Sequence, residues 1–130
     1  MEAHSLTCII DDDTIAVFGL TRAMKSIGFT PDLSVFENGL DALEKFEKLL
    51  ENDSELPSLI FIDLNMPVMG GWEFMGEFIK LIPCKKDLPE IYIMTSSIDI
   101  RDVEKAKTFG LESNYLIKPV SAEVLKEILV

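Results

Sequence analysis

Short apolar runs and helix-period stretches alternate five times along this chain, and that alternation restricts its fold more than any other feature. The runs cover residues 6–10, 33–36, 59–62, 91–94 and 115–117. Several are apolar at consecutive positions, the pattern of strands whose sheet is covered on both faces. Between them, Val17, Leu20, Met24 and Ile27 recur at spacings of three and four, with Gly28 as a stop. Leu40, Leu43, Phe46 and Leu50 repeat that spacing after Asn38, a capping residue. Trp72, Met75, Ile79 and Ile82 form a third stripe ended by Pro83. The fourth helix spans residues 100–109, with Asp99 as cap and Gly110 after it. The fifth starts after Pro119 and runs through Val124, Leu125 and Ile128. Strand–helix units repeated in this way predict an α/β fold, (βα)5, with a doubly wound five-stranded parallel sheet and helices on both faces. The polar stretches "ENDSELPS" and "PCKKDLPE" read as solvated connections.

At 130 residues the chain reads as one domain over residues 1–130, large enough for a proper core. Its net charge of -11 disfavours nucleic acid and anionic membrane surfaces as partners. No apolar run approaches the ~20 residues needed to span a bilayer, and "MEAHSL" lacks the basic-then-apolar pattern of a signal peptide. Cys8 and Cys84 are too few and too far apart for a disulfide framework or a zinc site, so the expected compartment is the reducing cytoplasm. His4, a lone histidine near the terminus, is read as having no functional role.

In open α/β sheets, sites lie at the carboxyl ends of the strands. Here those ends carry Asp11, Asp12 and Asp13 after the first strand, Asp63 at the end of "LIFID", Thr95, Ser96 and Ser97 after "IYIM", and Lys118 and Pro119 after "YLI". Each residue alone has a bland reading as a cap or a surface group; four strands ending this way together do not. Carboxylates ~4 Å apart repel by ~1 kcal/mol in water and by ~4 kcal/mol at an effective dielectric near 20. A divalent cation turns that repulsion into attraction, and a donor set of oxygens without His or Cys points to a hard ion, Mg2+ first. Mg2+ keeps waters and recruits phosphate oxygens, so the cluster reads as a metal cradle for a phosphoryl group. Asp63 then reads as a nucleophile that forms an aspartyl phosphate. Lys118 supplies a point charge, Thr95 a hydroxyl donor, and the Ser96 backbone N–H a further donor.

The motifs "IIDDD", "FIDLNMPVMGGWEF", "IMTSS" and "YLIKP" occur in this order, with Thr95 and Lys118 placed 32 and 55 residues after Asp63. In this the chain resembles the receiver domains of bacterial two-component response regulators, specifically the single-domain, chemotaxis-regulator-like members. The resemblance implies a flavodoxin-like three-layer sandwich with strand order 2-1-3-4-5 and no output domain. It makes Asp63 the phosphoacceptor, Asp12 a direct Mg2+ ligand, Asp11 an acid acting through metal-bound water, and the Asn65 carbonyl a third protein ligand. It makes Lys118 the contact to the phosphoryl group and the Lys118–Pro119 peptide cis. It makes Thr95 and Tyr115 a switch pair, in which Thr95 moves to the phosphoryl group and Tyr115 turns inward. It implies a phosphorelay switch loaded from the phosphohistidine of a histidine kinase or histidine phosphotransfer protein, slow self-dephosphorylation, and readout to an unknown protein through the face of helix four, strand five and helix five. Asp13 falls where the family is variable and is left as a helix cap. Gly70 stands where many members carry an aspartate, which loosens the loop after the acceptor. Asn65 and Ser97 occupy positions that tune phosphate lifetime.

Three other readings remain. A flavin-binding module of similar topology needs a hydroxyl- or glycine-rich loop after strand one, where three aspartates would repel the flavin phosphate. A Mg2+-dependent phosphatase with an aspartate nucleophile wants a second acid where Asn65 stands. A receiver-like scaffold without phosphate turnover has no need of the full set of Asp11, Asp12, Asp63, Thr95 and Lys118.

Overall fold

The computed structural model describes residues 4–97 and 99–129. Residues 1–3, the start of the segment read above for a leader, lie outside the described residues. In chain order the elements are β1 (Leu6–Ile10), α1 (Thr14–Ser26), β2 (Asp32–Phe36), α2 (Gly39–Glu51), β3 (Leu59–Asp63), α3 (Gly71–Leu81), β4 (Glu90–Thr95), α4 (Ile100–Thr108), β5 (Tyr115–Ile117) and α5 (Ala122–Leu129). All five strands are parallel, in the order β2-β1-β3-β4-β5, the expected flavodoxin-like arrangement. β3 and β4 run one residue further than the apolar pattern marks, so Asp63 and Thr95 are last strand residues and not loop residues.

The alternation of side chains along each strand divides the core in two. On one face, Ile9, Leu59, Phe61, Tyr92, Met94 and Leu116 pack under Leu20 and Met24 of α1 and Leu125 and Leu129 of α5. On the other, Cys8, Ile10, Ile60, Ile62, Ile91 and Ile93 pack under α2, α3 and Ala106 of α4. Phe46, Phe74 and Phe78 form a close aromatic knot there, with ring centroids 5.1–6.0 Å apart. Every residue of β3 is buried. The strand that carries Asp63 is therefore clamped on both faces.

Local signals agree with the pattern. The Asp13 carboxylate accepts from the N–H groups of Ile15 and Ala16, which makes it the α1 cap. Asn38 caps α2 through the Asp41 N–H, and Asp99 caps α4 through the Arg101 N–H. Gly28 and Gly110 follow α1 and α4 with φ of +80° and +72°. The two polar connections depart from their reading. Pro57 is buried, Leu56 and Leu88 pack onto the core, and Lys85–Asp87 forms a 3-10 turn. His4 also has partners. Its Nδ1 lies 3.0 Å from Ser58 Oγ and its Nε2 3.2 Å from Glu90 Oε2, which ties the start of β1 to β3 and β4.

α3 starts hard against the end of β3. A Cβ on Gly71 would sit 2.8 Å from the Asp63 carbonyl oxygen and 3.1 Å from Leu64 Cα, both backbone atoms with little room to yield. A Cβ on Gly70 would meet the Leu64 carbonyl oxygen at 2.9 Å, so that position tightens the turn and does not loosen it. Gly71→Ala should therefore destabilise the fold by ~1–3 kcal/mol through overpacking, read as a lower urea midpoint at an unchanged slope. A midpoint equal to wild type would mean that the loop shifts freely and does not fix Asp63.

Candidate functional site

The parallel sheet brings the ends of β1, β3, β4 and β5 to one edge, and the acids collect there. Asp11 is 2% exposed and Asp63 7%, whereas Asp12 stands open to solvent. One carboxylate oxygen from each of Asp11, Asp12 and Asp63 lies within 4.8 Å of the others. Lys118 reaches across from the end of β5. Its ammonium is 2.6 Å from Asp11 Oδ2 and 3.3 Å from Asp63 Oδ1. Both contacts combine hydrogen bonding with charge attraction. The other Asp11 oxygen accepts from the Asp13 N–H at 3.0 Å, so the same loop that caps α1 orients the buried acid. The Lys118 N–H donates to the Thr95 carbonyl at 2.8 Å, and the Lys118–Pro119 peptide is cis, as the resemblance implies.

Three carboxylates against one ammonium leave two negative charges uncompensated in a half-buried cradle. Burial pushes the Asp63 carboxyl above the usual aspartate range; Asp11 adds to this, Lys118 opposes it, and Asp12 raises it slightly further. For Lys118, burial works against the charged form, but the bonds and charges of Asp11 and Asp63 outweigh it and hold the ammonium above its ordinary pKa. The donors are all oxygens and their charge exceeds what the lysine neutralises, so the residues present fit a hard divalent cation.

The remaining expected residues lie around this centre. Asn65 is exposed just beyond β3. Ser96 is exposed and shares with Lys118, Ile15 and Pro119 the lining of a groove of about 480 Å3 beside α1. A cleft of the same volume at the opposite edge of the sheet has no comparable acid–lysine cluster, so chemistry and not size marks the site. Thr95 is buried. Its hydroxyl donates to the Ser97 carbonyl at 2.9 Å and not toward the acids. Tyr115 has a buried hydroxyl beside Thr95. Burial raises its pKa, Asp102 adds to this, Thr95 opposes it and Asp99 raises it slightly. Val68, in the turn after Asp63, holds φ of +67°, a strained conformation for a β-branched residue. Neither that strain nor the Thr95–Ser97 bond has a sequence signal, because both depend on how the loops close.

The response regulator receiver domain family model matches residues 7–130. The chain belongs to that family. It is 32% identical over 123 residues to the sensor histidine kinase CheAY of Helicobacter pylori, covering 92% of this chain and 14% of that protein. It is 29% identical over 118 residues to the probable methanogenesis regulatory protein FilR2 of Methanothrix harundinacea, covering 91% and 74% of the two chains. A crystal structure of a two-component response regulator from Cytophaga hutchinsonii superposes with a TM-score of 0.81 at 29% identity, covering 95% of this chain and 92% of that one. The receiver is a phosphorylation switch of two-component signalling, and membership decides against the flavin and phosphatase readings. Among the described residues no helix is long and apolar enough to cross a membrane.

The electrostatics make a stability prediction. Because the folded pKa of Asp63 is raised, its protonated form favours folding at low pH, and that contribution is lost as pH rises through the folded value. At pH 7 without divalent ions, Asp63→Asn should unfold at higher urea than wild type. The gap should narrow as pH falls through the raised folded value toward the unperturbed aspartate range near about pH 4, because the wild-type carboxyl regains its proton on the way. A wild type more stable than the variant at pH 7 would show that the receiver's acid cluster is not repulsive.

Proposed function

We propose that Asp63 accepts a phosphoryl group from the phosphohistidine of a histidine kinase or histidine phosphotransfer protein. The observation that carries this is the shared contact of one half-buried lysine with Asp11 and Asp63, at the edge where three acids converge. An Asp63 carboxylate oxygen forms the new O–P bond as the P–N bond of the phosphoimidazole breaks. The imidazole nitrogen keeps the electron pair and takes a proton. Lys118 stands where charge on the phosphoryl oxygens develops. Thr95 exchanges its bond to the Ser97 carbonyl for one to a phosphoryl oxygen, with the Ser96 N–H as a second donor. Hydrolysis later returns the Asp63 carboxylate and inorganic phosphate. The chain is thus a phosphoacceptor that assists its own loading and unloading, not an enzyme acting on a separate substrate.

Asp11, Asp12 and Asp63, with the Asn65 carbonyl, would hold Mg2+, which when bound neutralises the acids and draws the phosphoryl oxygens. Without it, two uncompensated charges repel an incoming phosphate. Readout runs through α4, β5 and α5, where Ile100 is 75% exposed and Ile117 44%. The net charge of -11 supports a protein partner over nucleic acid or an anionic membrane. Both cysteines are free, which supports a reducing, cytoplasmic setting. The described chain is proposed to act as one receiver domain.

Incubation with a small acyl-phosphate donor and Mg2+ should add one phosphate to the intact mass of wild type and none to Asp63→Ala. Lys118→Ala should load at least about 10²-fold more slowly, the scale of losing one charge-stabilising donor. An unchanged wild-type mass overturns the proposal.

A further inference from the structure

α4 is the least anchored of the long elements. Its one fully buried residue is Ala106, whereas α2 and α3 each bury four. A groove of about 540 Å3 opens between the C-terminal ends of α3 and α4, lined by Ile79, Ile82, Lys107 and Phe109. Packing alone therefore fixes α4 weakly, and a directional bond to it carries more weight than it would on a buried helix. Trp72 supplies such a bond. Its Nε1–H donates to Asp102 Oδ1 at 2.9 Å, and its ring stacks on Phe109 with centroids 5.8 Å apart and planes 4° from parallel.

The position of Trp72 in the chain matters as much as its contacts. It follows Gly71, whose backbone lies too close to the Asp63 carbonyl to admit a Cβ. The Gly71 N–H also donates to the Leu64 carbonyl at 3.0 Å. A displacement of the backbone at Asp63 and Leu64 thus passes into the first turn of α3, and one residue later into an indole held on α4. At its other end Asp102 carries the negative charge that acts on the buried Tyr115 hydroxyl.

We propose that Trp72 is a positioning residue that couples the acceptor loop to α4, a route parallel to the one through Thr95 and Tyr115. The inference rests on Asp63 being the acceptor. It requires no new contact on phosphorylation, only that α3 and α4 move together because the indole joins them. Removing the indole N–H takes away the directional bond between the two helices and leaves the acid–lysine cluster untouched.

Amide hydrogen exchange over residues 100–108, with and without a small acyl-phosphate donor and Mg2+, tests this alongside intact mass. Trp72→Phe keeps a ring on Phe109 and loses the donor; Asp102→Ala loses the acceptor from the opposite side. Both should take up phosphate as wild type does. Both should exchange α4 amides about fivefold faster before phosphorylation, the effect of about one net hydrogen bond. The phosphorylation-induced change in α4 exchange should fall to about half of wild type or less in each single variant, and no further in the double variant. Equal loading with a wild-type α4 response in either variant overturns the coupling alone. A wild type that takes up no phosphate overturns the acceptor reading and the coupling with it.

Discussion

The contact of Lys118 with both Asp11 and Asp63 holds the working edge of this receiver together. Three acids meet there because a parallel sheet sends every strand's carboxyl end to the same side and sets β1 beside β3. β5 lies two places from β3, so the neutralising group must reach over the end of β4. A lysine on its flexible stem can do this, and the backbone bond from the Lys118 N–H to the Thr95 carbonyl fixes where that stem begins. The single ammonium lowers the repulsion enough for the chain to fold and leaves enough of it to attract a cation.

Rigidity is distributed to match. β3 is buried along its whole length and aromatic rings pack beneath it, so the Asp63 carboxylate emerges from the least deformable part of the molecule. α4 is the opposite case, with one buried residue and exposed Ile100 at its start. A reaction that depends on positioning needs the first property, and a surface that changes with the state of the reaction needs the second. Gly71 and Trp72 stand at the boundary between these two regimes, one as a close backbone contact and the other as a side-chain bridge.

What the sequence revealed followed the range of the interactions involved. The alternating apolar runs read correctly as a two-sided sheet, because burial on both faces leaves no polar positions within a strand. The acids and Lys118 read as one site because strand ends converge by topology alone. Asp13 and Asp99 read as caps because capping is local. The features that the pattern did not show depend on partners outside their own segment. Leu56 and Leu88 look like loop residues until the core they cover exists. The His4 ring finds Ser58 and Glu90 only after β1, β3 and β4 align. Trp72 reads as one position of a helical stripe, and its bond to Asp102 spans 30 residues. Gly70 read as slack because a missing side chain suggests freedom, but the adjacent Leu64 carbonyl takes that freedom away.

The arrangement of Thr95 and Tyr115 bears on the switch proposed for this pair. The Thr95 hydroxyl donates to the Ser97 carbonyl, its near neighbour in the chain, while the buried Tyr115 hydroxyl lies between Thr95 and the charge of Asp102. Drawing Thr95 toward a phosphoryl oxygen, as proposed, would exchange one hydrogen bond for a stronger, charge-assisted one and take its hydroxyl away from Tyr115. The proposed switch would therefore trade a local bond to Ser97 for a bond to the phosphoryl group, and Tyr115 would follow because its neighbour has moved.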